Sequence, residues 1–212
     1  MRKLLTLFCI GLFPLVTIAQ DQKFHFGLKI TPSMAWIKPD RKGIEREGYR
    51  LGFAYGVQTE FRLAENYAIA SGVQVAYRGG KVRFEAGKDT LGADIEDPVN
   101  TYKLQYVEIP VSLKMMTKQF DKIRYFGQFG FAPAIRIQAK VDTKNEDNMD
   151  AKKATNVFNM NMLIGAGVEY EISGSTVAFA ALEFSNGFFD VFDGDAAKGV
   201  TNCLGVNLGI LF

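Results

Sequence analysis

Four groups of residues in this chain have the types that chemistry or binding requires. His25 is the one histidine, and an imidazole beside a serine and a carboxylate could activate a nucleophile for acyl transfer. The spacing brings no such partners to it, so catalysis would need them to converge from other elements. A histidine held in an interior or at an interface is the plainer reading. Asp190, Asp193 and Asp195 stand with Gly194 in DVFDGD, a string of oxygen donors that loosely resembles a calcium loop. The spacing is not that of an EF-hand and no bidentate Glu follows, so the segment reads as a solvated turn. Gly165 and Gly167 lie inside an alternating apolar run rather than ahead of a helix. That excludes a phosphate cradle and points to close packing across a lumen. No catalytic, cofactor-binding or metal-ligating residue is assigned, and no cofactor is expected.

The fourth group is larger. Lys29, Arg50, Glu60, Arg62, Glu108, Lys114, Arg124, Arg136, Glu169 and Glu183 all fall on the polar side of segments whose other side is apolar. Charges enclosed in a narrow lumen must be paired or hydrated. The network they form is either a plug or the lining of a selective pore. An eight-stranded barrel leaves room only for side chains, which favours the plug. Glu108 needs a cation, and Arg62, Arg124 and Arg136 are the inward candidates. Arg124 and Arg136 are preferred because they lie on the strand that follows.

The elements that position these residues show a period of two, the signature of β-strands with one apolar face. The clearest cases are Tyr49 to Leu63 and the segment Val107 to Lys114, where Val107, Ile109, Val111 and Leu113 oppose Glu108, Pro110, Ser112 and Lys114. The second of these belongs to a strand running from Thr101 to Thr117; the others run from Phe24, from Tyr67, from Ile123, from Phe158, from Thr176 and from Cys203 to the terminal Phe212. Phase changes are expected near Gln105 or Tyr106 and near Ala181, and a β-bulge is the ordinary cause. Eight strands result, joined by connections that alternate long and short.

The 18 Phe, 8 Tyr and 21 Gly among 212 residues suit a chain with aromatic girdles and closely approached backbones. The apolar face is large and aromatic while the polar face holds Gly, Ala, Gln, Asn and charges, the reverse of a lipocalin-type soluble barrel. An open sandwich has no use for an aromatic terminus after strict alternation. Arg2 and Lys3 followed by the apolar run to Ile18 read as a secretory leader, with cleavage expected after Ala19. Residues 1–19 are thus a signal peptide and 20–212 the barrel domain. Cys9 follows Phe8 and lies too early for a lipoprotein site, which leaves Cys203 as the one cysteine of the mature chain. Arg2 and Lys3 account for the whole formal charge of +2, so the mature chain is neutral and no basic patch argues for nucleic acid. No apolar run reaches the roughly 20 residues of a membrane helix, so a spanning chain must be a closed barrel. The expected fold is all-β, an eight-stranded antiparallel transmembrane up-and-down β-barrel in the outer membrane. Its termini and short turns should lie on the periplasmic side.

Tyr106-Val107-Glu108-Ile109-Pro110, followed by Lys114, resembles the Y-[LIV]-E-I-P-x-x-x-K strand of the Bacteroidetes outer-membrane β-barrel family that includes PorT-like proteins. Phe26 to Met34 is similar to that family's opening strand, with Thr31-Pro32 where a Gly is commoner, and Ser185-Asn186-Gly187 is similar to its late S-x-G. The resemblance covers the mature chain and implies a small porin-family barrel surrounded by outer-membrane lipid and inserted by the barrel-assembly machinery. For PorT-like members it also implies a link to type IX secretion. A non-enzymatic binding or envelope-assembly role, with secretion or envelope proteins as partners, is the function expected. A narrow solute pore is the first alternative and a lipid-modifying enzyme centred on His25 the second.

Overall fold

The computed structural model describes residues 23–40, 44–84, 99–143, 146–194 and 197–212. The expected signal peptide, residues 1–19, and Asp195 lie outside them. Eleven strand segments form one antiparallel sheet: β1 (Phe24–Pro39), β2 (Ile44–Gly48), β3 (Arg50–Ala64), β4 (Tyr67–Phe84), β5 (Val99–Glu108), β6 (Val111–Met116), β7 (Ile123–Asp142), β8 (Met149–Asp150), β9 (Phe158–Ser173), β10 (Thr176–Gly187) and β11 (Gly199–Leu211). One 3₁₀ turn, Lys152–Ala154, interrupts the β8–β9 connection.

The segments reduce to eight walls. β2 and β3 run end to end along β4, with a bulge at Arg46–Gly48. β5 and β6 run end to end between β4 and β7, and the register is unbroken across the gap between them on both sides. The break falls at Ile109-Pro110, where proline has no N–H to give the ladder; Ile109 N still donates to Pro133 O at 3.0 Å. β7 pairs with β9, β9 with β10, β10 with β11, and β11 returns to β1, which pairs with β3. The pairings therefore close on themselves, and closure removes the sheet edges that would need a partner. The start of β1 and the end of β11 meet at one rim, where Phe212 N donates to Phe26 O at 2.7 Å and Phe26 N to Phe212 O at 3.2 Å. The short β3–β4, β6–β7 and β9–β10 turns lie at that same rim, the short-turn end; the long connections lie at the other.

Leu28, Ile30, Leu51, Tyr55, Tyr125, Phe129, Ile164 and Leu208 are among the many large apolar side chains exposed on the outer face. The inner face carries the buried polar residues, as the alternation predicts.

Two expectations need correction. The first is the phase change near Gln105 or Tyr106. β5 alternates without a break, and Tyr102, Leu104, Tyr106 and Glu108 all point inward. The ladder irregularity at that level exists, but the extra residue is on β7, where Ile137 and Gln138 are both exposed. The second is the phase change near Ala181. β10 alternates throughout, and Val177, Phe179 and Ala181 share the inside with Glu183 and Ser185. Both errors have one cause: the lumen takes apolar clusters, around Tyr102 and Leu104 toward the long loops and around Val177 and Phe179 toward the short turns, as well as polar layers, so the chemistry changes while the parity does not.

Candidate functional site

The lumen is filled in layers. Near the short-turn end Ala68, Met116, Phe126, Val177, Phe179, Ala181 and Leu211 form an apolar cluster. Lys114 stands on it, with Nζ 4.2 Å from the Phe126 ring centroid and 5.8 Å from that of Phe179, a cation–π arrangement. Lys114 donates to Glu60 at 2.6 Å and also to Glu169, so one buried ammonium bridges two carboxylates from β3 and β9. All three side chains are at most 3% exposed.

The next layer holds Lys29 and Glu183; Glu183 accepts from Gln128 at 2.8 Å and from Asn207 at 2.9 Å. Above it Glu108 takes a bidentate fork from Arg78, Nε to Oε1 at 2.8 Å and Nη2 to Oε2 at 3.0 Å. Gln74 adds a third donor at 2.6 Å, while Arg78 Nη1 donates to Ser185 Oγ at 2.7 Å. Arg78 was not among the cations expected for Glu108. Arg62 and Arg124 instead line the short-turn mouth, and Arg136 serves the opposite end. Arg78 reaches Glu108 from β4, the strand before, by slanting from its own register partner Leu104 toward that of Gln74. Its inward parity with Gln74 and Ala76 was the signal that could have found it.

At the long-loop end the lumen turns apolar. Ile37, Val82, Tyr102, Leu104, Tyr106, Val141, Val191 and Phe192 belong to one buried cluster. Phe192 meets Tyr102 edge-on, with centroids 5.1 Å apart and an interplanar angle of 76°. The wall also narrows here. The β1–β3 ladder stops at Ala35 opposite Arg50, and Gly80 of β4 packs directly on β1. A Cβ on Gly80 would fall 2.5 Å from Ile37 N.

Two connections close over this cluster. Asn156 Nδ2 donates to Asp190 O and Phe192 O, both at 2.9 Å, and Asp193 N donates to Ala154 O at 3.0 Å. Arg136 directs its guanidinium at the carbonyls of Asn156, Lys152 and Thr155 at 3.1, 3.1 and 3.2 Å. Its role is to hold a loop rather than to pair with Glu108. Arg50 donates to Arg78 O at 3.1 Å. Outside, the sheet changes character at this end: Arg83 pairs with Glu47 at 2.6 Å, and Lys103 pairs with Asp142.

The Asp-rich segment serves this cap. Asp190 accepts from Gly199 N at 3.0 Å, and Val191-Phe192, the apolar pair between the aspartates, is what enters the lumen. Among the described residues no three His, Cys, Asp or Glu side chains are grouped to hold a metal ion. The glycines of β9 answer to a neighbouring strand rather than to the far wall: a Cβ on Gly167 would meet Ala180 O at 2.2 Å and the Ala181 Cβ at 2.5 Å, both on β10. Cys203 is buried and free.

His25 is buried in the short-turn mouth, in a cavity also lined by Arg62, Gln119, Lys122, Arg124, Glu169, Glu171 and Ser175. A serine and carboxylates thus come near the histidine, but His25 Nδ1 has no hydrogen-bond partner, whereas a triad needs that atom held by a carboxylate.

Comparison with curated proteins finds no matching sequence. Among solved structures, the crystal structure of Neisserial surface protein A (NspA) aligns with a TM-score of 0.52 at 11% identity, over 89% of this chain and 96% of that one. The outer membrane protein OprG from Pseudomonas aeruginosa aligns with a TM-score of 0.50 at 11% identity, over 89% and 93%. At that identity the likeness speaks for the fold alone: a small closed outer-membrane barrel. The family model described as "Outer membrane protein beta-barrel domain" matches residues 18–193, and the chain accordingly belongs to that family and resides in the outer membrane.

Proposed function

We propose that this protein is a closed, non-conducting barrel that works by binding at its ends, in an envelope-assembly role and not as an enzyme. One observation carries the reading: the lumen is blocked at three levels. Phe192 and its neighbours seal the long-loop end, Arg78 and Glu108 cross the middle, and Lys114 with Glu60, Glu169, Phe126 and Phe179 fills the lower third. A pore of this width would need these buried charges to separate, leaving each uncompensated. What remains available to a partner is the exposed surface of the cap, including Lys152, Lys153 and Asp193, and the short-turn rim. The likeness of the Tyr106–Pro110 strand to PorT-like barrels supports secretion or envelope proteins as those partners, a type IX secretion accessory being the specific form.

Planar-bilayer recording of the refolded barrel tests the closed lumen. No unitary conductance is expected, and steady single-channel openings in the wild type would establish the solute pore instead. Photo-crosslinkers at Lys153 and at Gln119 then test the binding role in cells; capture of a discrete envelope protein at either position is expected, and crosslinks to lipid alone at both would end it.

A further inference from the structure

The geometry points to a phosphate-binding site in the short-turn mouth of the barrel. Arg62 from β3 and Arg124 from β7 enter one cavity of about 80 Å³, with His25 from β1 and Lys122 from the β6–β7 turn. The Nε–H of each arginine is buried without an acceptor, and so is Nδ1 of His25, a side chain only 5% exposed. Buried polar groups are ordinarily satisfied, and three unpartnered nitrogens on side chains that line one cavity call for a shared partner.

The residues lining the cavity do not supply it; Glu60 Oε2, beside His25, is also buried without a partner, but Glu60 is held by Lys114 and does not line the cavity. Glu169 is engaged by Lys114, and Glu171 accepts from Gln119 at 2.7 Å. Among the described residues neither arginine forms an ion pair. Three cations, Arg62, Lys122 and Arg124, thus face two carboxylates that are already engaged, and planar N–H forks suit an added oxyanion.

The volume is that of about two or three waters, enough for a single oxyanion group and too little for a nucleoside. Four donor side chains converge from three stretches of chain, more than the two oxygens of a carboxylate can serve well. A tetrahedral phosphate presents oxygens to all of them. The phosphate can be free in solution or carried on a lipid headgroup, since the mouth opens at the rim of the barrel. The site stands apart from the function proposed above, because its residues are the same whether or not the barrel conducts.

The test uses the full barrel in maltoside micelles, free of phospholipid. Thermal unfolding is followed by loss of heat-modifiable electrophoretic mobility, with inorganic phosphate or glycerophosphoethanolamine added at constant ionic strength. A saturable rise in melting temperature is expected, absent in Arg62→Gln and in Arg124→Gln and retained in Lys153→Gln. Stabilisation by inorganic phosphate alone assigns the free anion, and stabilisation by the glycerophosphodiester assigns a headgroup. No stabilisation by either probe, or the same stabilisation in both arginine variants, overturns the site. Phosphorus NMR of the two probes with the wild-type barrel needs no variant to fold: broadening of at least one resonance is expected, and two unbroadened lines likewise overturn it.

Discussion

Glu108 is fully buried, and its carboxylate takes three donors, two from Arg78 and one from Gln74. Such a pair says little about net stability while it is intact, because desolvation offsets much of the attraction. Removing one member is costly, about 3–5 kcal/mol, because the survivor remains buried without compensation. Glu108→Ala should therefore unfold at markedly lower urea than Glu146→Ala, whose side chain lies in an exposed connection. The single tryptophan, Trp36, gives the fluorescence signal for that titration. Adding Arg78→Ala to Glu108→Ala should recover part of the loss. Adding Arg136→Ala should not, since that guanidinium holds the carbonyls of Lys152, Thr155 and Asn156. Equal urea midpoints for Glu108→Ala and Glu146→Ala would remove the pair from any account of stability. Recovery with Arg136 rather than Arg78 would reassign the partner.

Among the elements, the β10–β11 connection departs furthest from what its composition announces. Its aspartates suggest a solvated turn, yet Val191 and Phe192 between them are buried, at 1% and 2% exposure, and plug the lumen. Burial of a Phe side chain is typically worth about 1.5–3 kcal/mol, and truncating one in a packed site costs about 3–5 kcal/mol. Phe192→Ala should loosen the cap without unfolding the walls, whose ladders do not include it. Limited proteolysis of the folded barrel is expected to cut the Phe188–Lys198 connection much faster in Phe192→Ala than in wild type, with Phe192→Leu between them. Unchanged cleavage would mean that the hydrogen bonds from Asn156 and Asp193 hold the cap unaided. The walls were legible because side-chain parity is a local property of a strand: residues such as Leu51, Phe53 and Tyr55 against Ala54, Gln58 and Glu60 fix inside and outside without any neighbour. The phase changes expected near Gln105 and Ala181 do not occur because Tyr102 and Phe179 are apolar residues that face inward, and a sequence does not show where along the barrel the lumen stops being polar. The Arg78–Glu108 pairing depends on how far a long side chain slants along its strand, which parity does not specify. The plug at Phe192 depends on a tertiary contact with Tyr102 from a distant strand.

At the scale of the molecule the polarity of the wall reads as a position in the membrane. The exposed outer face is apolar through the middle of the barrel, as at Leu28, Tyr55, Phe129 and Leu208. Past Ala35 and Gln138 the same walls carry Glu47, Arg83, Lys103 and Asp142 outward over an apolar inside. That arrangement is the one for a sheet in water, so the long-loop end extends beyond the lipid. The short-turn end, with its two- to six-residue connections, the start of β1 and the end of β11, matches the periplasmic side of outer-membrane barrels. Lys153 and Ser175 are exposed at opposite ends, and the native Cys203 is buried, so it contributes little background to thiol labelling. Lys153→Cys should react with a membrane-impermeant maleimide on intact cells. Ser175→Cys should react only once the outer membrane is permeabilised. Labelling of Ser175→Cys alone on intact cells would invert the barrel and place the arginine mouth outside the cell. Equal labelling of both would mean that the protein is not inserted with a single orientation.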